Sequence, residues 1–236
     1  MHQKPDGDAM GSTLGLYHFL NKLGHNCTVI SPTNWADFLN WMPGCDKVLD
    51  YESQPNKADV LIDEADFIFC LDFILLSFLT IHAIRMEEKL KLAKGNRILI
   101  DHHQEPQTAV FAFGISDTGK SSTAEMVFDF IVESGNIDKI DATIGECLYA
   151  GVMTDTGSFR FPSTKASVHK MVYELKERGL EHSHVHEALF DNFLENRFRF
   201  IGHVLSNRME VFYEYNTVLM SITQADLIKY NVKTGD

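Results

Sequence analysis

The chain has 236 residues, 44% of them hydrophobic, and a formal net charge of -12. That length supports one large domain, or a complete domain with a smaller piece attached, and excludes disorder as the main theme. With 33 acidic residues against 21 Lys plus Arg, the surface is a poor counterion-releasing grip for long duplex DNA. The four cysteines, Cys27, Cys45, Cys70 and Cys147, show no CxxC spacing and read as reduced thiols of a cytoplasmic protein. No apolar run reaches the ~20 residues needed to span a bilayer, and no basic-then-apolar leader opens the chain. The closest candidate, FIFCLDFILLSFLT, is broken by Asp72 and reads as a buried core segment, so no membrane partner is expected.

At its start, MHQKPDGDAMGS crowds His2, Asp6 and Asp8 around a tight Pro-Asp-Gly-Asp turn. Met10, Leu14, Tyr17, Leu20 and Leu23 then recur at helical spacing, and Gly24 supplies a C-terminal stop. NCTVISP reads as a short buried strand, DFIFCLD as a second, NRILIDHH as a third and TAVFAFGI as a candidate fourth. SSTAEMVFDFIVESG is a helix opened by Ser122 with Glu125 at the spacing of a capping box. ATIGECLYAGVMTDTGSFRF keeps helical apolar spacing up to Met153 and then turns around Asp155, and KASVHKMVYELKERG is an amphipathic helix ended by Gly179. Strands alternating with helices predict an α/β fold, a parallel sheet with helices on both faces. After Gly179, EHSHVHEALFDNFLENRFRFIGHVLSNR reads as two helices and MEVFYEYNTVLMSIT as two short strands. Two strands alone are marginal in water. The reading is therefore a first domain over residues 1–178, a helical linker over 179–207, and an incomplete second α/β domain over 208–236.

The acidic and histidine residues fall at informative places on this map. Asp72 ends the strand FIFCL, Asp101-His102-His103 ends the strand RILI, and Asp155 ends an apolar helix. Ligands of an open parallel sheet bind beyond the carboxyl ends of its strands, so these groups and the opening turn are expected to converge in one crevice. Each cluster has a plainer account by itself: Asp6 or Asp8 caps the following helix, and paired histidines after a strand are exposed or hydrogen-bonded. Asp72 is harder to excuse, because an unpaired buried carboxylate is costly. Carboxylates packed this closely repel unless a cation sits among them. Oxygen and imidazole donors without thiolate suit Mn²⁺, Mg²⁺ or Fe²⁺ better than a structural zinc, and the number of donors suffices for two ions. The histidines His182, His184 and His186 read as a surface or linker cluster, and FRF at 198–200 as packing.

The ordered set HQKPDGDAMGS, LDF, DHH and GVMTDTGSFRF resembles the DHH phosphoesterase family, whose triplet is Asp101-His102-His103, over residues 2 to about 160. The branch it resembles most is the nanoRNase and pAp-phosphatase type, which hydrolyses very short oligonucleotides and 3′-phosphoadenosine 5′-phosphate. The resemblance implies one ion held by His2, Asp6 and Asp72, and a second by Asp8, Asp72, His102 and Asp155, with Mn²⁺ as the metal and Mg²⁺ as its alternative. It implies His103 as a donor to the substrate phosphate. Arg160 is the candidate for a second phosphate contact, since guanidinium grips phosphate in bidentate fashion, and Ser121 and Ser122 either touch phosphate or cap their helix. Two positions depart from the pattern, which expects Asn and Arg where Ile74 and Phe78 stand. The glycine-rich GGGH-type motif of the second domain is absent from the chain. The partner implied is a short oligonucleotide or nucleotide, with a homodimer allowed. Exopolyphosphatase, pyrophosphatase, cyclic-dinucleotide phosphodiesterase and an inactive, truncated nucleotide binder stay open as alternatives.

Overall fold

The computed structural model of the protein describes residues 1–73, 81–104, 111–191 and 195–232. Its first helix, α1 (Gly7–Lys22), begins before the apolar periodicity does, because the Asp6 side chain accepts from the N–H groups of Asp8 and Ala9 and caps it. A short strand β1 (Ile30–Ser31) pairs in parallel with β2 (Leu49–Asp50). Helix α2 (Pro55–Glu64) starts on a proline, which fits the first turn where its missing N–H is not needed. Then come β3 (Phe67–Leu71), α3 (Ile81–Leu92), β4 (Asn96–Asp101) and β5 (Phe113–Ser116). These three strands form one parallel sheet in the order β3-β4-β5. The α/β fold with parallel pairing and flanking helices is the one the alternation predicts.

Two differences have local causes. The parallel strands form two separate ladders rather than a single sheet. Val29 and Ser31 face β2 through their carbonyls, so proline at position 32 faces the opposite edge of β1, where it has no N–H to offer another strand. The last strand of the three begins at Phe113, inside TAVFAFGI and later than that run's start, whose first residues lie outside the described ones. Helices α2 and α3 are additions to the expected elements. Ile74 and Phe78 lie outside the described residues.

Four helices follow the sheet: α4 (Thr123–Glu133), α5 (Ala142–Asp155), α6 (Ala166–Glu177) and α7 (His182–His186). The last runs on as a wider π-type turn over Glu187–Asp191. One core cluster joins Met10, Leu14 and Phe19 of α1, Val127 and Ile131 of α4, and Leu148 and Val152 of α5 to Leu71 and Ile100 of the sheet. A second joins Tyr51, Ala58, Ile62, Met86 and Leu90, with Ile68 packed against it. Neighbouring β3 residues therefore point to opposite layers, Phe69 and Leu71 to the first cluster and Ile68 to the second. Beyond these lie α8 (Glu195–Asn207), the antiparallel hairpin of β6 (Met209–Phe212) and β7 (Thr217–Met220), and α9 (Gln224–Tyr230). Among the described residues, no helix is long and apolar enough to cross a membrane.

Helix α1 lies unusually close to α5. A Cβ added at Gly7 would fall 2.5 Å from Thr154 Oγ1, and one at Gly11 2.4 Å from the Cys147 carbonyl oxygen. Glycines spaced four apart leave a seam into which α5 sinks, running antiparallel, so the N-terminus of α1 meets the C-terminus of α5. In the sheet, Leu71 pairs with Ile100, which brings Asp72 and the Asp101-His102-His103 triplet out at the same edge.

Candidate metal centre

The edge of the sheet, the α1 cap and the end of α5 thus share one crevice. His2 Nε2 lies 3.7 Å from Asp6 Oδ1 and 3.4 Å from Asp72 Oδ2. Its main-chain N–H donates to the Asp72 carbonyl at 2.9 Å, which moors the opening residues to the end of β3. His102 Nε2 lies 3.2 Å from Asp155 Oδ2, 3.6 Å from Asp72 Oδ1 and 3.7 Å from Asp8 Oδ2. His103 Nδ1 donates to Asp101 Oδ1 at 2.8 Å and lies 3.3 Å from Asp72 Oδ1. Three groups result whose donor atoms all fall within 4.8 Å of one another: His2, Asp6 and Asp72; Asp8, His102 and Asp155; Asp72, His102 and His103. Asp72 belongs to two of them through different oxygens. It sits at φ 47°, a left-handed conformation that costs a non-glycine residue of order 1–3 kcal/mol and is typical of functional sites.

The electrostatics fit a cation. Asp8 is 0% exposed and Asp72 1%, and burial followed by the charges of Asp72 and Asp155 drives the Asp8 carboxyl well above the usual carboxylate range. Asp155 is raised as well, chiefly by burial, against a hydrogen bond from His102. Burial alone would lower His2, yet its bonds to Asp6 and Asp72 hold it up at about 10. Without an ion, protons must supply the neutralising charge that this cluster demands. All-oxygen and imidazole donors at this density match a hard to borderline divalent ion.

The structure brings together His2, Asp6, Asp8, Asp72, His102, His103 and Asp155. Arg160 stands outside these groups, exposed, its Nε donating to the Gly157 carbonyl at 2.6 Å. It follows a turn in which Gly157, Ser158 and Phe159 all take positive φ. Ser122 is spent on capping α4, accepting from the Glu125 N–H, while Ser121 donates through both N–H and hydroxyl to the Glu125 carboxylate. The anion-binding N-terminus of α4 is taken by Asp8, whose two oxygens accept from the N–H groups of Thr123 and Ala124 at 2.6 and 2.8 Å. His182, His184 and His186 face Lys176, Glu146 and Tyr149 instead of the crevice. One contributor, Thr123, is absent from the site residues that the sequence suggests, and its signal is that it opens a helix directly after its cap. Asp101, expected in the crevice as part of its triplet, is buried there and turned toward His103.

A family model described as "DHH family, N-terminal domain" matches residues 1–152. The chain belongs to the DHH family. It is similar to the crystal structure of an exopolyphosphatase-related protein from Bacteroides fragilis, with 38% identity and a TM-score of 0.92 over 99% of this chain and 67% of that one. It is 31% identical to the bifunctional oligoribonuclease and PAP phosphatase NrnA of Thermus thermophilus, over 87% of this chain and 56% of the relative. A probable bifunctional oligoribonuclease and PAP phosphatase NrnA of Streptococcus mutans is 28% identical, over 74% and 50%. This DHH-family chain spans about half the length of the curated relatives it matches.

Proposed function

We propose that this DHH-family chain is a phosphoesterase that holds two divalent ions, Mn²⁺ or Mg²⁺, and hydrolyses short oligonucleotides and 3′-phosphoadenosine 5′-phosphate. The observation that carries the reading is the sharing of Asp72 between the His2–Asp6 pair on one side and His102 on the other. His2, Asp6 and Asp72 hold one ion, and Asp8, Asp72, His102 and Asp155 the other. Such an ion pair, when bound, neutralises charge on a phosphate and polarises it as a Lewis acid. Residues 1–178 form the ion-holding domain on this reading, 179–207 a linker and 208–236 the start of a substrate-binding domain.

The chain's own residues supply the rest. Asp101 fixes the tautomer of His103 by accepting from Nδ1, and that hydrogen bond first, then the charge of Asp72, raises the imidazole against burial. Nε2–H is thereby kept as a donor for a phosphate oxygen. Arg160 is free to leave the Gly157 carbonyl, a neutral acceptor whose loss costs about 0.5–1.5 kcal/mol, for a charge-assisted bidentate grip on phosphate. The names of the Thermus thermophilus and Streptococcus mutans relatives support an oligonucleotide or pAp substrate. A second reading, polyphosphate or pyrophosphate, is favoured by the likeness to the exopolyphosphatase-related protein of Bacteroides fragilis.

The test is a panel of pApA, pAp, tripolyphosphate and pyrophosphate, each with Mn²⁺ and with EDTA. The expected outcome is AMP released from pApA and phosphate from pAp, both abolished by EDTA and by Asp72→Ala. Cleavage of the inorganic chains alone would select the second reading. Mn²⁺ binding with no cleavage of any panel member would leave a nucleotide-binding module.

A further inference from the structure

Asp8 and Asp72 come from remote parts of the chain, α1 and the end of β3, and both are buried beside His102. Two such carboxylates repel, so something other than their own attraction must set their spacing. The first residue of α4 touches both. Thr123 N–H donates to Asp8 Oδ2 at 2.6 Å, and Thr123 Oγ1 donates to Asp72 Oδ1 at 3.1 Å. That hydroxyl lies nearer to the Asp72 carboxylate than do the ring nitrogens of His103, His2 or His102, at 3.3, 3.4 and 3.6 Å. Thr123 is itself 0% exposed, and its place is fixed on both sides, by the Ser122 cap and by the grip of Glu125 on Ser121.

We propose that Thr123 is a positioning residue that sets the Asp8–Asp72 spacing, so that one carboxylate oxygen from each is presented to the same ion. This rests on the metal reading above and goes beyond it, assigning a role to a side chain that is not itself a ligand. The physical argument is one of direction. An ionised carboxylate can only accept, so the Thr123 hydroxyl must donate to it. The bond occupies one lone pair of Oδ1, the same oxygen that lies 3.6 Å from His102 Nε2. Its partner bond to Asp8 is made by the backbone and survives any side-chain change, so the two arms can be cut separately.

Thr123→Val keeps the volume and the N–H to Asp8 but removes the donor to Asp72. Thr123→Ser keeps the donor. The experiment is a Mn²⁺ titration of the full chain, by calorimetry and by the electron paramagnetic resonance signal of free Mn²⁺, with circular dichroism of the metal-free forms alongside. Thr123→Val is expected to bind the ion that Asp8 and Asp72 share about 10–100-fold more weakly, the range for loss of a group that orients a ligand. Its metal-free fold should remain intact, and Thr123→Ser should retain most of the affinity. If Thr123→Val does not fold, Thr123→Ala takes its place in the same titration. Unchanged affinity in the hydroxyl-free variant, or equal weakening in Thr123→Ser, would overturn the role of Thr123 alone. A wild-type chain that takes up no Mn²⁺ would overturn the metal centre and this role together.

Discussion

Asp6 shows how much one carboxylate can be asked to do. Its Oδ1 accepts from the N–H groups of Asp8 and Ala9, both at 3.0 Å, and the same atom lies 3.7 Å from His2 Nε2. The plain reading of a helix cap and the sharper reading of a metal ligand therefore describe one side chain, and substitution can separate them. Asp6→Ser keeps an oxygen that caps, so the metal-free protein should melt close to wild type, while Asp6→Ala should lose about 1 kcal/mol of stability with the cap. Both should weaken the ion held by His2 and Asp72 to a similar degree and leave the second ion nearly untouched. Thermal melts in EDTA and Mn²⁺ titrations read the two effects separately. If Asp6→Ser bound Mn²⁺ as tightly as wild type, the carboxylate would be a cap only.

The seam between α1 and α5 carries the site at the next scale, because Asp8 and Asp155 meet only if these helices lie close. Gly11→Ala would gain about 1 kcal/mol of helix propensity. Its Cβ would fall 2.4 Å from the Cys147 carbonyl oxygen and 2.9 Å from the Gly151 nitrogen, backbone atoms of α5 that cannot rotate away. Overpacking of this kind costs about 1–3 kcal/mol, so the clash outweighs the propensity. Gly11→Ala should lower the urea midpoint and weaken Mn²⁺ binding although the residue touches no ligand. Gly15→Ala, whose Cβ meets the Leu148 Cδ2 atom at 2.6 Å, should be milder, since that side chain can turn. Equal effects at both positions would mean that the helices slide freely. The same seam marks the limit of what the sequence shows. The apolar spacing of α1, the Ser122 start of α4 and the Gly179 stop after α6 are local signals, and so are charged groups placed at the ends of apolar strands. The glycine seam, the hydroxyl of Thr123 on Asp72 and the carboxylate of Asp8 on the α4 N-terminus depend on which helix meets which, and no periodicity encodes that. Helices α2 and α3 are hidden for another reason: they are short and rich in charge, and the buried apolar residues described in them, Ala58 and Ile62 in α2 and Met86 and Leu90 in α3, are too few to mark a period.

Over the whole molecule, cohesion is uneven. The sheet and the helices around it share two apolar clusters, whereas Val204 and Val232 are the buried apolar side chains among described residues 195–232, and every residue of β6 and β7 is exposed. Two buried valines contribute about 1.5–3 kcal/mol each, little for a unit of two helices and a hairpin, so its polar anchor matters more than usual. That anchor is Asp226. Its Oδ1 accepts from Arg208 at 2.9 Å and from His203 at 3.0 Å, and its Oδ2 from the hydroxyl and N–H of Thr223, tying α9 to α8 and to the start of β6. The Arg208 guanidinium first, and then Thr223, holds this carboxyl well below the usual carboxylate range. A group that binds its proton more weakly folded than unfolded stabilises fully above the ordinary value of about 4, and loses that contribution as the pH falls through the depressed folded value. Asp226→Asn should therefore lower the hydrogen-exchange protection of α9 and β6 at pH 7, while protection in α1 and α5 stays at the wild-type level. As the pH is taken below about 4, the wild type should approach the variant and the gap between them should close. A gap that persists undiminished into strong acid, or that is absent at pH 7, would show that Asp226 is not what holds α8, the hairpin and α9 together.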